Sequence, residues 1–117
     1  MADTSVKPPF KITPVVFHVL LAMSEGDAHG YGIMQEVEKR TEGSLKIGPG
    51  SLYFTLNRLL EVAMIKEGAG AATDDARRKY YRLTEYGRAV LESELRLLSD
   101  IVDLAREKAV LRDEGVA

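Results

Sequence analysis

The sequence predicts a mainly α-helical fold with one small β-hairpin, followed by a long C-terminal helix. Three observations support this prediction. Apolar residues recur at helical spacing in three segments before residue 63. A glycine- and aspartate-rich segment, GAGAATDDARR, separates two short strand-like stretches. From residue 84 onward, leucines and valines recur every three or four positions. The 117 residues suit one domain.

Three short helices are expected in the first half. The first opens with Thr13 as N-cap and Pro14 as the first helical residue, and its apolar face ends before Gly26. The second spans about 31–41, before Gly43. The third, from an N-cap at Ser51 to about residue 62, is expected to turn four leucines inward: Leu52, Leu56, Leu59 and Leu60.

The hairpin is predicted from the residues on either side of the glycine-rich loop. The apolar pair at 64–65 leads into it, and the segment 79–83, KYYRL, favours a strand. Thr84 is the expected N-cap of a final helix that reaches about Leu111. This order of elements is that of a winged helix-turn-helix. The predicted organisation is a flexible N-terminal arm (1–10), a winged-helix domain (11–86), a dimerisation helix (87–113) and a tail (114–117).

Composition excludes several kinds of chemistry. The chain has no cysteine, so disulfides, cysteine-based metal sites and thiol nucleophiles are ruled out. His18 and His29 do not form a recognisable metal-ligand set, and His29 suits a loop or helix-capping role. We find no catalytic carboxylate pair and no phosphate-binding glycine loop. The expectation is a non-enzyme without metal or cofactor. Without a signal peptide or a run of roughly 20 apolar residues, it is expected in the cytoplasm, away from membranes.

Charge is unevenly distributed along the chain, although the formal net charge is only −2. Residues 44–82 contain seven basic and four acidic residues, a net charge of +3. Residues 89–117 contain four basic and seven acidic residues, a net charge of −3. A basic middle and an acidic C-terminal part fit a protein that carries a nucleic-acid-binding surface on one region only.

The third helix and the hairpin form the candidate DNA-binding surface. A major-groove reader needs a helix with an apolar back and a polar front, and basic residues beside it hold the DNA backbone. Phe54, on the outer face, either contacts a thymine methyl or packs beneath the hairpin, and packing is the favoured alternative. The basic residues of the hairpin taken alone could also be an ordinary solvated face. The predicted DNA-contacting residues are Lys46, Gly50, Ser51, Tyr53, Thr55, Asn57, Arg58, Arg77, Arg78 and Lys79.

The last helix carries two apolar strips, wider than one chain is expected to cover. One strip could pack on its own domain while the other meets a second copy. The alternative is a core helix within a single chain. The apolar first helix is expected to be a core or interface element. The predicted dimerisation residues are Val15, Val19, Leu91, Leu95, Leu98, Val102 and Ala105.

Three motifs together resemble the PadR family of bacterial transcriptional regulators: HGYGIMQEVE, IGPGSLYFTLNRLLEVAMI and DDARRKYYRLTEYGRAVL. The similarity extends from about Thr13 to Leu91, and the single helix after the hairpin resembles the smaller PadR subgroup. It implies a homodimeric repressor on an inverted-repeat operator, with Tyr53 at the DNA backbone, the wing (74–81) on flanking DNA, and the last helix against the partner's first. Phe54 and Ala63 depart from the family, which commonly has glycine at the latter position.

Some PadR proteins bind flat aromatic drugs on a tryptophan. This chain has no tryptophan, so that mode does not carry over, and the sequence does not indicate an effector. The alternative function is a winged-helix module that binds a protein partner instead of DNA, which the acidic tail and the net negative charge favour.

Overall fold

The computed structural model describes residues 6–69 and 78–112. Within these ranges no helix has the length and apolar character to cross a membrane. The order of elements confirms the predicted mainly α-helical fold with a small sheet. The elements are α1 (Pro14–Ala22), β1 (Ala28–His29), α2 (Gly30–Arg40), α3 (Pro49–Glu61), β2 (Ile65–Gly68), β3 (Tyr80–Leu83) and α4 (Glu85–Glu107).

Helix starts follow capping chemistry, with one correction. The Val16 N–H donates to Thr13 Oγ1 at 3.4 Å, and Thr13 is the N-cap of α1 as predicted. The prediction that Ser51 caps the third helix is wrong, because Gly48 is the N-cap and Pro49 occupies the first helical position. Proline suits that position because its φ is already helical and its missing N–H would have had no partner. The helix therefore begins two residues before Ser51.

The sheet contains one strand more than the predicted hairpin. β2 and β3 pair antiparallel, with Ile65 opposite Leu83 and Gly68 opposite Tyr80. β1 adds to the other side of β3, with Ala28 opposite Tyr81 and His29 opposite Tyr80. β3 is therefore the central strand. Because β1 leads directly into α2, the sheet fixes where α2 begins.

The core lies between the three short helices, the sheet and the first turns of α4. Alternation along β3 buries Tyr81 and Leu83 on one face and exposes Arg82 on the other. Of the four leucines predicted to face inward on α3, three are fully buried and Leu60 is half-buried. The buried side chains are Ile12, Val16, Val19, Leu20, Met23, Ile33, Val37, Leu52, Leu56, Leu59, Met64, Ile65, Tyr81, Leu83, Val90 and Leu91.

The described part of the N-terminal segment lies against the domain. The Val6 N–H donates to Ser93 Oγ on α4 at 2.9 Å. Val6 and Phe10 pack on the core and Ile12 is buried in it. Residues 1–5 of the predicted flexible arm lie outside the described residues. From residue 6 onward the segment connects α4 with the side of α3.

A close joint connects the end of α3 to the start of α4. Thr84 caps α4 as predicted, because its hydroxyl accepts from the Gly87 N–H at 2.9 Å and donates to the Ala63 carbonyl at 2.6 Å. The Thr84 N–H donates to the Met64 carbonyl at 3.1 Å. A Cβ at Gly87 would overlap that same carbonyl oxygen. The two helices therefore meet backbone to backbone.

Ala63 makes the turn after α3 with a positive φ of 61°. Its N–H donates to the Leu60 carbonyl, and the Met64 N–H donates to the Leu59 carbonyl. These two bonds form the Schellman motif, which ends an α-helix with one residue in the left-handed conformation. α4 ends in the same way near Ala109, whose φ is also 61°. The helix therefore stops before the predicted end at Leu111.

Candidate nucleic-acid interface

α3 presents a polar face away from the core. Leu52, Leu56 and Leu59 are buried on one side of the helix. Of the side chains predicted to contact DNA from this helix, Thr55 is half-buried and the others are exposed: Ser51, Tyr53, Asn57 and Arg58. Gly50 is exposed in the first turn, and Lys46 is exposed in the preceding loop. A helix with one dry and one polar side has the form that the major groove admits.

The first turn of α3 is suited to a phosphate oxygen. The first intrahelical bond runs from the Leu52 N–H to the Gly48 carbonyl at 2.9 Å, so the N–H groups of Gly50 and Ser51 precede the ladder. Among the described residues no side chain caps this end. Free N–H groups and the positive end of the helix dipole both favour an anion here.

Tyr53 joins α3 to the start of α2. Its side chain lies against the Cα of Gly30, where an added Cβ would overlap the tyrosine hydroxyl. Tyr53 is 44% exposed, so the residue also faces solvent. The next tyrosine in the cluster is Tyr81, whose pKa is raised above its usual value by burial first, and then by Tyr53 and Glu67. Tyr53 thus joins the exposed face of α3 to the first turn of α2.

His29 belongs to this surface, although the sequence indicated only a loop or capping role. The capping role is confirmed: the Gly32 N–H donates to His29 Nδ1 at 3.1 Å. An accepting Nδ1 leaves the proton of the neutral ring on Nε2. Nε2 lies 3.4 Å from an Arg78 guanidinium nitrogen, and the ring meets Tyr80 edge to face at 5.4 Å. Two donors thus face each other at the base of the hairpin.

Several of the predicted cations are close to carboxylates. Lys46 lies 3.8 Å from Glu38, and Lys79 lies 3.7 Å from Glu67. In both pairs each side chain is more than half exposed, and exposed pairs of this kind contribute about 0–1 kcal/mol. A phosphate can therefore compete for either lysine. Arg77, the remaining predicted contact, lies outside the described residues.

Arg58 is held by an aromatic ring from the N-terminal segment. Its guanidinium carbon lies 4.0 Å from the centroid of Phe10 and 5.9 Å from that of Phe54. Phe54 itself is 65% exposed. The favoured prediction, that Phe54 packs beneath the hairpin, is therefore wrong. Phe10 was missed because a single aromatic residue in a proline-rich segment has no periodic pattern.

α4 divides along its length. Val90 and Leu91 are buried in the chain's own core, and Leu95 packs against it. Beyond Leu95 the helix extends past the domain, and its apolar side chains are exposed: Leu97, Leu98, Ile101, Val102 and Leu104.

The predicted dimerisation residues are distributed accordingly. Val19 and Leu91 lie in the core of the single chain and are withdrawn from the candidate dimer surface. Val15 and Leu95 are half-buried, Ala105 is partly exposed, and Leu98 and Val102 are exposed. Buried and exposed apolar residues are therefore separated along the length of α4, whereas the sequence predicted two apolar strips that run side by side along the helix.

The chain is similar to known regulators over most of its length. Residues 19–93 match the profile of the transcriptional regulator PadR-like family. The transcriptional regulator Rv3488 of Mycobacterium tuberculosis is 33% identical over 98 residues, which are 84% of this chain and 85% of that protein. A transcriptional regulator from Clostridium thermocellum has a similar structure, with a TM-score of 0.66 and 27% identity, over 80% of this chain and 87% of that chain.

The fold also matches that of Bacillus subtilis PadR, whose crystal structure is a complex with operator DNA. The TM-score is 0.59 at 20% identity, over 68% of this chain and 45% of that chain. The order of elements, the profile match over residues 19–93 and the identity to Rv3488 all agree. This chain belongs to the PadR-like family of transcriptional regulators.

Proposed function

We propose that the protein is a transcriptional repressor that binds an inverted-repeat operator in double-stranded DNA as a homodimer. The observation that carries the proposal is the exposed polar face of α3, whose first turn has no side-chain cap among the described residues. The DNA complex of Bacillus subtilis PadR, which shares this fold, supports the same use of the module.

In this proposal α3 enters the major groove. The N–H groups of Gly50 and Ser51 bind a phosphate, and the amide of Asn57 faces the base edges, where it can pair with adenine. Lys46 and Tyr53 hold the backbone on one side, and the wing cations Arg77, Arg78 and Lys79 hold the flanking DNA. His29 Nε2 and the Arg78 guanidinium lie 3.4 Å apart. A phosphate oxygen beside both groups would accept a hydrogen bond from each of them.

The test of DNA binding is a gel-shift titration on the region upstream of the protein's own gene at several salt concentrations. The logarithm of affinity should fall linearly with the logarithm of salt concentration. Replacing Arg78 with alanine should weaken binding to all sequences alike and reduce that slope by about 1. Arg106→Gln, which removes a positive charge near the far end of α4, is the matched control and should leave the slope unchanged. Absence of binding by the wild-type protein at moderate salt would contradict the proposal.

The homodimer is proposed from the distal part of α4. Ile101 is 62% exposed and Leu97 is 53% exposed, on a helix that has left its own domain. A groove of about 470 Å³ lies between the end of α1 and α4, where the apolar side chains of Leu21 and Leu95 line it together with charged side chains such as Arg96. The apolar face of a helix from a second copy would cover the distal part of α4 and the groove, and would bury their exposed apolar side chains. Recognition of an inverted repeat then follows from the two-fold symmetry of the pair.

Sedimentation equilibrium tests the dimer. Ile101→Glu places an unpaired charge in the interface and should raise the dimer dissociation constant by at least about a hundredfold. The same Arg106→Gln control, which changes a partly exposed side chain beside Asp103, should remain dimeric. If Ile101→Glu sediments like the wild-type protein, the distal part of α4 is not the interface.

The alternative is a winged-helix module that binds a protein, supported by the net charge of −2 and the acidic C-terminal part. It predicts that Arg78→Ala keeps function, whereas a change of the exposed Phe54 loses it. The repressor proposal predicts that Arg78→Ala derepresses a reporter gene placed behind the upstream region.

A further inference from the structure

A single large apolar ring lies on the otherwise polar outer face of α3. Phe54 is two residues along the helix from Leu52 and from Leu56, about 200° around the axis from these buried side chains. At 65% exposure it is the most exposed large hydrophobic side chain in the described part of the domain that precedes α4. It therefore points the same way as the face that we propose enters the major groove.

The surroundings of Phe54 leave its ring accessible. Gly50, one turn before it, has no side chain, and a Cβ built there would meet no atom within 4 Å. Asn57, one turn after it on the same face, is exposed. A surface at this position can thus approach the ring without first displacing a neighbouring side chain of α3.

The ring is also flanked by an organised cation. Phe10 holds the Arg58 guanidinium at 4.0 Å, and the same guanidinium lies 5.9 Å from Phe54. Both distances are within the range of cation–π attraction. Arg58 is therefore drawn toward the N-terminal segment and away from free extension into the groove. This arrangement makes Phe54, with Asn57, the side chain best placed to meet a base edge.

In the major groove the one apolar group that a base pair displays is the 5-methyl group of thymine. We infer that Phe54 contacts a thymine methyl in each half-site and so determines specificity at that base pair. This inference rests on the proposed function. It moves sequence readout from Arg58, one of the predicted DNA-contacting residues, to an apolar contact, with Phe10 and Arg58 as positioning residues.

The experiment replaces thymine with uracil, which removes only the methyl group. A consensus site is first selected from random duplexes with the full-length protein. Each thymine of one half-site is then changed to uracil in turn, and the dissociation constants of the wild-type protein and of Phe54→Ala are measured. The wild-type protein should lose about three- to tenfold in affinity at one position, the effect of one buried methyl group. The substitution in both half-sites should multiply the two losses.

Phe54→Ala should bind the thymine and uracil duplexes equally at that position, because the partner of the methyl group is gone. Phe54→Leu, which keeps an apolar side chain, should retain part of the discrimination. Since Phe54 is exposed, neither change should lower the unfolding midpoint, which serves as the control for folding.

Two results would overturn the inference while leaving the proposed function intact. One is equal binding of uracil and thymine duplexes by the wild-type protein at every position. The other is a methyl effect that persists in Phe54→Ala, since another residue would then make the contact. If selection yields no preferred duplex at all, it is the proposed function that fails. That second result, together with loss of a protein partner by Phe54→Ala, would assign the ring to protein binding.

Discussion

Replacement of Gly87 by alanine tests the joint between α3 and α4 directly. In a helix this change ordinarily stabilises by up to about 1 kcal/mol, because alanine has the higher helix propensity. Here the new Cβ would overlap the carbonyl oxygen of Met64, and would lie 2.7 Å from the carbonyl carbon and 3.0 Å from the Cα of that residue. All three contacts are with backbone, which cannot rotate away. We therefore expect the opposite sign.

The size of the effect follows from what has to move. Carbon–carbon contacts are optimal at about 3.5–4.0 Å, so the start of α4 and the turn at Met64 must separate by roughly 1 Å. Overpacking of this kind costs about 1–3 kcal/mol. The separation also strains the bond from the Thr84 N–H to the Met64 carbonyl and that from the Thr84 hydroxyl to the Ala63 carbonyl, each worth about 1 kcal/mol. After the propensity gain, a net loss of about 2–4 kcal/mol remains.

The matched control is Gly50→Ala in the first turn of α3. A Cβ at Gly50 meets nothing within 4 Å, so this variant should be as stable as the wild-type protein or up to about 1 kcal/mol more stable. Urea unfolding followed by circular dichroism, at one fixed protein concentration, measures both variants. If Gly87→Ala matches the wild-type protein, or if Gly50→Ala loses as much as Gly87→Ala, the steric reasoning is refuted.

Two further predictions concern the turn after α3 and the buried tyrosine of β3. Ala63→Gly should raise the free energy of unfolding by about 1 kcal/mol because Ala63 has a φ of 61°, and an unchanged or lower urea midpoint would contradict this. The pKa of Tyr81 is raised above 10.0, chiefly by burial, so its stabilising contribution is complete below pH 10.0 and is lost as the pH rises through the folded-state pKa. Tyr81→Phe should therefore lose less stability than the wild-type protein between about pH 8 and about pH 10.5, and equal losses in urea titrations would count against the burial effect.

The features that could be predicted from the sequence are those set by near neighbours in the chain. Thr13 and Thr84 cap their helices through bonds to residues three positions away, so a short sequence window contains all the chemistry. The strand propensity of KYYRL is equally local, and it predicted the strand that the structure has at Tyr80–Leu83. The prediction of Ser51 as N-cap was wrong because serine is a good cap in general, whereas Pro49, two positions earlier, already suits the first position of the helix.

The features that were missed depend on distant contacts. β1 consists of Ala28 and His29, neither of which favours a strand, and it exists because β3 pairs with it across about fifty positions of sequence. The extent of the buried part of α4 depends on where the domain ends, and helical periodicity carries no information about that. The row formed by Phe10, Arg58 and Phe54 joins the N-terminal segment to α3, and no pattern within either segment predicts the pairing.

The joint at Thr84 has a mechanical consequence for the proposed dimer. α4 spans 23 residues, about 34 Å at 1.5 Å per residue, and its first turn is fixed to the end of α3 by backbone contacts. If α4 moves as one rigid body about this joint, it carries with it α3, the helix that we propose enters the major groove. A tilt of about 10° displaces the far end of a helix of this length by about 6 Å, whereas half-sites one turn apart are separated by about 34–36 Å. Any molecule that alters the crossing of two α4 helices would thus change the spacing of the two α3 helices, without touching either of them.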